Sequence, residues 1–456
     1  MQHKPMIHVI TRLKLFLRGH EQEETRRMLL WAGAVGVLGA LATVLFREGI
    51  QLVELLFTRH SGSLVHIAEG LTWWQRLLMP LAGGLLAGAI LQFGLKWARG
   101  IQTTDYMEAI VAGDGVIGVR ASLMKSLSSL FTVGSGGSIG REGAMVQLAA
   151  MVGSAAGHWV HLPRAKQRLL VACGAAAGLA AAYNAPIAGA LFVAEIVMGT
   201  IAMESFGPLI VASVVSNTTI HQFLGYAPVY QIPAFQFHSN WELIFYAALG
   251  YLLGHLAPSF ITLLDRSENL FARTRLPLTL KLGLGGLAVG AISTFYPQVW
   301  GNGYSVVNSL LHQDIAWQLL AMVLIFKIIA TAATIGSGAV GGVFTPTLFI
   351  GAAFGSLFGT ALGAIFPGMT SPSSAYAIVG MGAFLAATTH APLMAILMIF
   401  EMTLDYKITL PLMLACVIAY TIARDHRGSE SIYAGALRRK RGLHAGEIAP
   451  AGTPLI

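Results

Sequence analysis

Gly83-Gly84-Leu85-Leu86-Ala87-Gly88-Ala89-Ile90 returns as Gly285-Gly286-Leu287-Ala288-Val289-Gly290-Ala291-Ile292, 202 residues further along the chain. At the same spacing Lys125 falls on Lys327, Gly134-Ser135-Gly136 on Gly336-Ser337-Gly338, and Gly140 on Gly342. Ala185-Pro186 followed by Glu195 matches Ala391-Pro392 followed by Glu401, now at a spacing of 206. Matches kept in order at one near-constant spacing mark a duplicated chain. The halves span 29–225 and 241–423, joined by a connecting loop over 226–240. Any fold for this chain must therefore pack two similar units against each other.

Composition decides the medium. Of 456 residues only 11% are Asp, Glu, Lys or Arg, while 55% are hydrophobic; a soluble domain carries about 25% charged residues. So few charges cannot wet the surface of a water-soluble protein this large, which excludes disordered, disulfide-rich secreted and ordinary cytosolic classes. The 52 glycines suit close helix–helix contact in lipid. Several apolar stretches approach the ~20 residues that cross a bilayer. Others are shorter and end at Gly or Pro, which is tolerated only where their ends are buried in protein or line a cavity. The expected fold is an all-α polytopic membrane protein with two repeats and many tilted or partial helices.

Charge placement sets the expected topology. The net charge of +8 is concentrated at the ends, with Lys4, Arg12, Lys14, Arg18, Arg26 and Arg27 in segment 1–28 and Arg424, Arg427, Arg438, Arg439, Lys440 and Arg441 in tail 424–456. Basic flanks stay cytoplasmic, so both termini are expected on that side, with no soluble regulatory domain and no nucleic-acid partner. An odd number of crossings in each half then inverts one repeat relative to the other, a transporter design that places the substrate at the repeat interface. Cys173 and Cys416 stand alone and read as small buried hydrophobes; no metal, cofactor or redox site is expected.

The chemistry concentrates in Gly134-Ser135-Gly136-Gly137-Ser138-Ile139-Gly140-Arg141-Glu142-Gly143-Ala144 and its counterpart Gly336-Ser337-Gly338-Ala339-Val340-Gly341-Gly342-Val343-Phe344-Thr345-Pro346. Glycines allow close backbone approach, and a helix start following them aims free N–H groups and a positive dipole end at an anion. Pro346 suits such a first turn. Two helix starts, one from each half, are expected to converge on one anion site. Glu142 is an ionisable group at membrane depth and so a functional candidate; its carboxylate would compete with a free anion, and protonation would release the site. A simple helix-capping role is the competing reading. Tyr433, the last aromatic before the basic tail, offers a neutral donor or an interface anchor.

Lys125, Lys327, Glu195 and Glu401 are expected to pair with buried charges or carbonyls, Glu108 being one partner for Lys125. Gly113-Asp114-Gly115-Val116-Ile117-Gly118 has the glycine spacing of a nucleotide loop without the surrounding strand and helix, and reads as an ordinary loop. His158 and His161 lie at a segment end beside Pro163, and His390 aligns with Asn184 as a capping position. Neither offers a catalytic triad, so the chain is not expected to be an enzyme.

Gly140-Arg141-Glu142-Gly143, Gly342-Val343-Phe344-Thr345-Pro346 and the late Tyr433 together resemble the CLC family of chloride channels and chloride/proton antiporters. Thr104-Asp105-Tyr106-Met107-Glu108-Ala109 is similar to its bacterial ClcB-type members. The resemblance covers about residues 29 to 433 and implies a homodimer with a separate pore in each subunit. It implies that Glu142 is the gating glutamate, that the backbone N–H groups of Arg141, Glu142 and Gly143 line an outer anion site, and that those of Val343 and Phe344 line a central one with the Tyr433 hydroxyl. Where many members carry a Gly-Ser-Gly-x-Pro run, this chain has Gly100-Ile101-Gln102-Thr103-Thr104-Asp105, leaving Thr103 or Thr104 to supply the serine's hydroxyl. Many antiporters carry a second acid after the position of Glu195; this chain has Ile196, which cannot carry a proton. The expected activity is gated chloride conduction across the bacterial inner membrane as an electrical shunt, with chloride/proton antiport as the alternative and a non-transporting scaffold or intramembrane enzyme as a distant one.

Overall fold

Glycine and proline set where the helices stop. The structure, a computed structural model, describes residues 4–60, 62–98, 105–225, 230, 241–313, 315–426 and 430–441. The first half runs through α1 (Lys4–Thr58), α2 (Leu64–Gly70), α3 (Trp73–Trp97), α4 (Tyr106–Val111), α5 (Val119–Gly134), α6 (Glu142–Trp159), α7 (Arg164–Tyr183), α8 (Pro186–Leu191) and α9 (Met203–Leu224). A π-helical turn, Phe192–Val197, extends α8. The second half runs through α10 (Glu242–Arg273), α11 (Leu278–Ser293), α12 (Tyr304–His312), α13 (Trp317–Gly336), α14 (Phe344–Ile365), α15 (Ser373–Thr389), α16 (Pro392–Thr403), α17 (Thr409–Asp425) and α18 (Ile432–Arg441). Six helices among the described residues are long and apolar enough to cross a membrane. The helix α1 runs unbroken through residue 28.

The two halves break their helices the same way. Asn184 ends α7 and His390 ends α15 in the left-handed conformation, at φ 54° and 58°, which satisfies a terminal carbonyl and stops the helix. Ala185 and Ala391 follow with ψ near 80°, as residues before proline are steered away from the helical region. Pro186 and Pro392 then start the short helices α8 and α16 at a position where a missing N–H costs nothing.

Packing repeats as well. The helix α6 lies on α7 as α14 lies on α15, α1 on α9 as α10 on α17, and α3 on α5 as α11 on α13. The repeated glycine motif is the crossing of α3 with α11. A Cβ on Gly84 would lie 2.3 Å from the Leu282 carbonyl oxygen, and one on Gly286 would lie 2.0 Å from that of Pro80. Gly88 faces Thr279 and Gly290 faces Leu77 in the same reciprocal way. Residue numbers rise on one helix as they fall on the other, so these equivalent helices are antiparallel. The halves are inverted relative to each other.

A second reciprocal contact joins α8 to α16. The Glu195 carboxylate accepts from Leu393 N at 3.3 Å and Met394 N at 2.8 Å. The Glu401 carboxylate accepts from Ile187 N at 2.9 Å and Ala188 N at 2.8 Å. The sequence reading expects charges or carbonyls as partners. The structure supplies amide N–H groups instead, because a helix start has free donors and a positive dipole end. Lys327 does meet carbonyls, donating to Val299 O at 2.8 Å and Gly301 O at 2.7 Å. The segment 113–118 is a loop whose Gly115 carbonyl is tied to Ser154 and Gln167.

Candidate functional site

Gly140 and Gly342 form an antiparallel bridge across the repeat interface. Each N–H donates to the other's carbonyl at 2.8 Å. The helices α6 and α14 start two residues later, at Glu142 and Phe344. The two glycine-rich turns thus bring a helix start from each half to one place deep in the protein.

Glu142 belongs to α6, but its carboxylate sits on α14. One oxygen accepts from Thr345 N at 3.1 Å and the other from the Thr345 hydroxyl at 3.1 Å. That hydroxyl has a single hydrogen, so the Tyr183 phenol, 2.7 Å away, donates to the Thr345 oxygen. Tyr183 is steadied by Phe344, with ring centroids 4.9 Å apart. A Cβ on Gly140 would stand 2.1 Å from the carboxylate and one on Gly342 2.3 Å from it; only glycine leaves room there. The carboxylate therefore occupies the N–H end of a helix from the opposite half, the kind of place where a free anion binds. The sequence reading has Glu142 as a cap at its own helix start, whereas its carboxylate meets the first turn of a helix in the other repeat.

Two cavities meet at this side chain. One, of about 230 Å³, is lined by Arg47, Arg141, Asn184, His221, Asn302, Tyr304 and Thr345. The other, of about 630 Å³, is lined by Tyr106, Lys125, Gly143, Val343, Phe192 and Tyr433. Glu142 lines both and is only 3% exposed. Its side chain is a wall common to both spaces.

The sequence-predicted residues divide between these spaces. Arg141 lies on the wall of the smaller cavity, and Gly143, Val343 and Tyr433 on that of the larger one. Tyr433 is held edge-on against Phe192, centroids 5.5 Å apart. Phe344 is buried and its side chain is committed to Tyr183. Thr103 and Thr104 lie outside the described residues. Sequence reasoning missed Thr345, Tyr183 and Tyr106. Thr345 stands inside the motif and carries a hydroxyl, a usable signal; Tyr183 precedes the Asn-Ala-Pro break and has none. Tyr106 opens α4 beside the cavity, with its N–H on the Gln147 side-chain oxygen at 3.0 Å and the Gln147 amide on Ser122 at 2.9 Å.

The sequence profile of the voltage-gated chloride channel family matches residues 83–424. The chain belongs to the CLC family. A ClcB-like chloride channel protein of Ralstonia nicotianae is 56% identical over 418 residues, spanning 91% of this chain and 97% of the relative. A voltage-gated ClC-type chloride channel, ClcB, of Salmonella typhimurium is 44% identical over 412 residues, spanning 89% and 98%. Among solved structures, a slow cyanobacterial Cl⁻/H⁺ antiporter is similar with a TM-score of 0.81 at 25% identity, over 91% of this chain and 98% of that one. The CLC match holds both glycine-rich turns and both helix starts, while Arg47 on α1 and Tyr433 on α18 fall outside it.

Proposed function

We propose that this protein carries chloride across the bacterial inner membrane by gated passive conduction, with Glu142 as the gate. The observation that carries this reading is the Glu142 carboxylate, which holds the N–H and hydroxyl of Thr345 between two cavities. An anion arriving from either side competes with that carboxylate for the same donors. Binding sites built from backbone N–H groups and hydroxyls hold an anion without trapping it, as conduction requires. Val343 and Gly143 supply backbone, and Tyr433 and Tyr106 supply phenols, on the larger cavity. Arg141 faces the smaller one, and Phe344 contributes its backbone at the start of α14. Moving a carboxylate or an anion within the membrane field is worth about 2.3 kcal/mol per charge per 100 mV, which gives the gate a voltage dependence. The relatives at 44% and 56% identity bear chloride-channel names.

The basic terminal segments favour a cytoplasmic side for both termini and, with them, for the larger cavity, and in this reading the protein works as a homodimer with one pathway in each subunit. Chloride then serves as an electrical shunt when proton pumping charges the membrane. Ile196, which packs against the hydrophobic core, leaves no inner acid beside Glu195. The similarity to a solved Cl⁻/H⁺ antiporter favours exchange as the second reading. Proteoliposomes under a chloride gradient with simultaneous pH recording separate the two. Conduction predicts chloride flux with no coupled proton movement; stoichiometric proton movement against its own gradient makes the protein an antiporter.

A further inference from the structure

Alternate residues of the turn that leads into Glu142 are each held by the second half. The Gly136 carbonyl accepts from Gly301 N at 3.3 Å, the Ser138 and Thr331 hydroxyls are 3.1 Å apart, and Gly140 is bridged to Gly342. The bridge brings the two helix starts together; the ties at 136 and 138 have no part in that. Both trace to α13. Thr331 stands on this helix, and Lys327, one helical turn earlier on the same face, clasps the segment that bears Gly301.

Lys327 is fully buried and in no ion pair among the described residues. Val299, Trp300 and Ala330 beside it belong to one apolar cluster. Two of its three N–H bonds go to the Val299 and Gly301 carbonyls, and it lies over the Phe349 ring, 5.7 Å from the centroid, a favourable seat for a cation. A charge in so apolar a place is costly unless hydrogen bonds offset its desolvation. What those bonds hold is a sharp turn. Gly301 and Gly303 take left-handed backbone at φ 64° and 89°, and Trp300 just before them packs on Gly136, where a Cβ would stand 2.5 Å from its ring.

The repeat-equivalent turn lacks this clamp. At the spacing of 202 residues Ser138 corresponds to Val340 and Thr331 to Ser129. Valine has no hydroxyl, and the Ser129 hydroxyl is buried without a partner. Lys125, the counterpart of Lys327, lines the larger cavity instead. The clamp has been kept on the turn that carries Glu142 and not on its twin. We propose that Lys327 and Thr331 are positioning residues for Glu142, holding residues 136 and 138 so that its carboxylate reaches Thr345. Their role rests on Glu142 being the gate. With the turn loosened, the carboxylate is seated on Thr345 less often, and the path stays open at pH values where the wild type is blocked.

Chloride efflux from proteoliposomes holding the full chain, with pH varied equally on both sides, tests it. Wild-type flux is expected to fall as pH rises and Glu142 ionises. Lys327→Met, similar in length but uncharged, moves the midpoint of that fall upward by about one unit, a tenfold loss of the seated carboxylate. Thr331→Val moves it the same way by about half a unit, and carries the test alone if Lys327→Met does not fold. A clamp that only stabilised the fold would lower the thermal midpoint and leave the pH profile in place. In a Glu142→Gln background neither substitution changes the flux per folded protein. An unmoved midpoint in either folded variant, or an equal change of flux in the Glu142→Gln background, overturns the proposal. A wild-type flux that ignores pH instead sinks the gate itself, and the positioning role with it.

Discussion

A carboxylate held by one backbone N–H and one hydroxyl, both at 3.1 Å, is anchored but replaceable. If Glu142 gates the path as proposed, Glu142→Gln removes the charge that competes with chloride and the proton that relieves it. Its anion flux in proteoliposomes is expected to lose dependence on external pH, and an unchanged pH profile would remove Glu142 from the gate. Thr345→Val keeps the side-chain volume and the N–H but deletes the hydroxyl. Losing one hydrogen bond to a charged group, about 1.5 kcal/mol, should raise the ratio of open to blocked protein roughly tenfold, read as open probability in bilayer recordings. Gly342→Ala reaches the same end sterically, because its methyl would stand where the carboxylate now lies. That variant should conduct without pH dependence while still containing Glu142.

Among the elements, the strongest constraints are the reciprocal ones. Glu401 holds the first turn of α8 and Glu195 the first turn of α16, so each half caps a helix of the other. Glu401→Ala strands two amide donors in a buried place and is expected to cost about 2–4 kcal/mol, visible as a lower thermal midpoint in detergent. The crossing of α3 and α11 depends on space. Gly286→Ala forces a Cβ against the Pro80 carbonyl and should cost about 1–3 kcal/mol by overpacking, measured in the same melts. Repeat-equivalent residues have also diverged. Lys327 is fully buried and clasps the carbonyls of the 299–301 segment, while Lys125 lines the larger cavity.

At the scale of the whole molecule, the inverted halves leave two cavities that share Glu142 as a common wall. Gly225 and Tyr230 border the smaller cavity and α18 the larger, and the proposed orientation puts the smaller cavity outside. A cysteine placed in segment 226–240 should react with an impermeant thiol reagent from outside intact cells, whereas one placed after residue 441 should react only once the membrane is opened. The reverse pattern would invert the proposed orientation.

Local sequence was enough for several features, because they depend on short-range chemistry. The spacing of 202 residues, the scarcity of charge and the Ala-Pro helix starts follow from residue type and order, and they announce a duplicated helical membrane protein with glycine-rich turns. The same glycine pattern at residues 140 and 342 marks where two helix starts meet. Tertiary structure alone decided which groups touch. Glu142 precedes its partner Thr345 by 203 residues, so nothing nearby in sequence shows that it caps the other half's helix. Glu195 and Glu401 read as groups seeking buried charges or carbonyls, until the fold brings helix starts to them. Arg47 carries no motif at all; only the packing of α1 beside the turn at residue 141 gives it a cavity to face. A helix end's free donors belong to the backbone and are legible from sequence, but the side chain or ion that fills them depends on which chain segments the fold brings within about 3 Å.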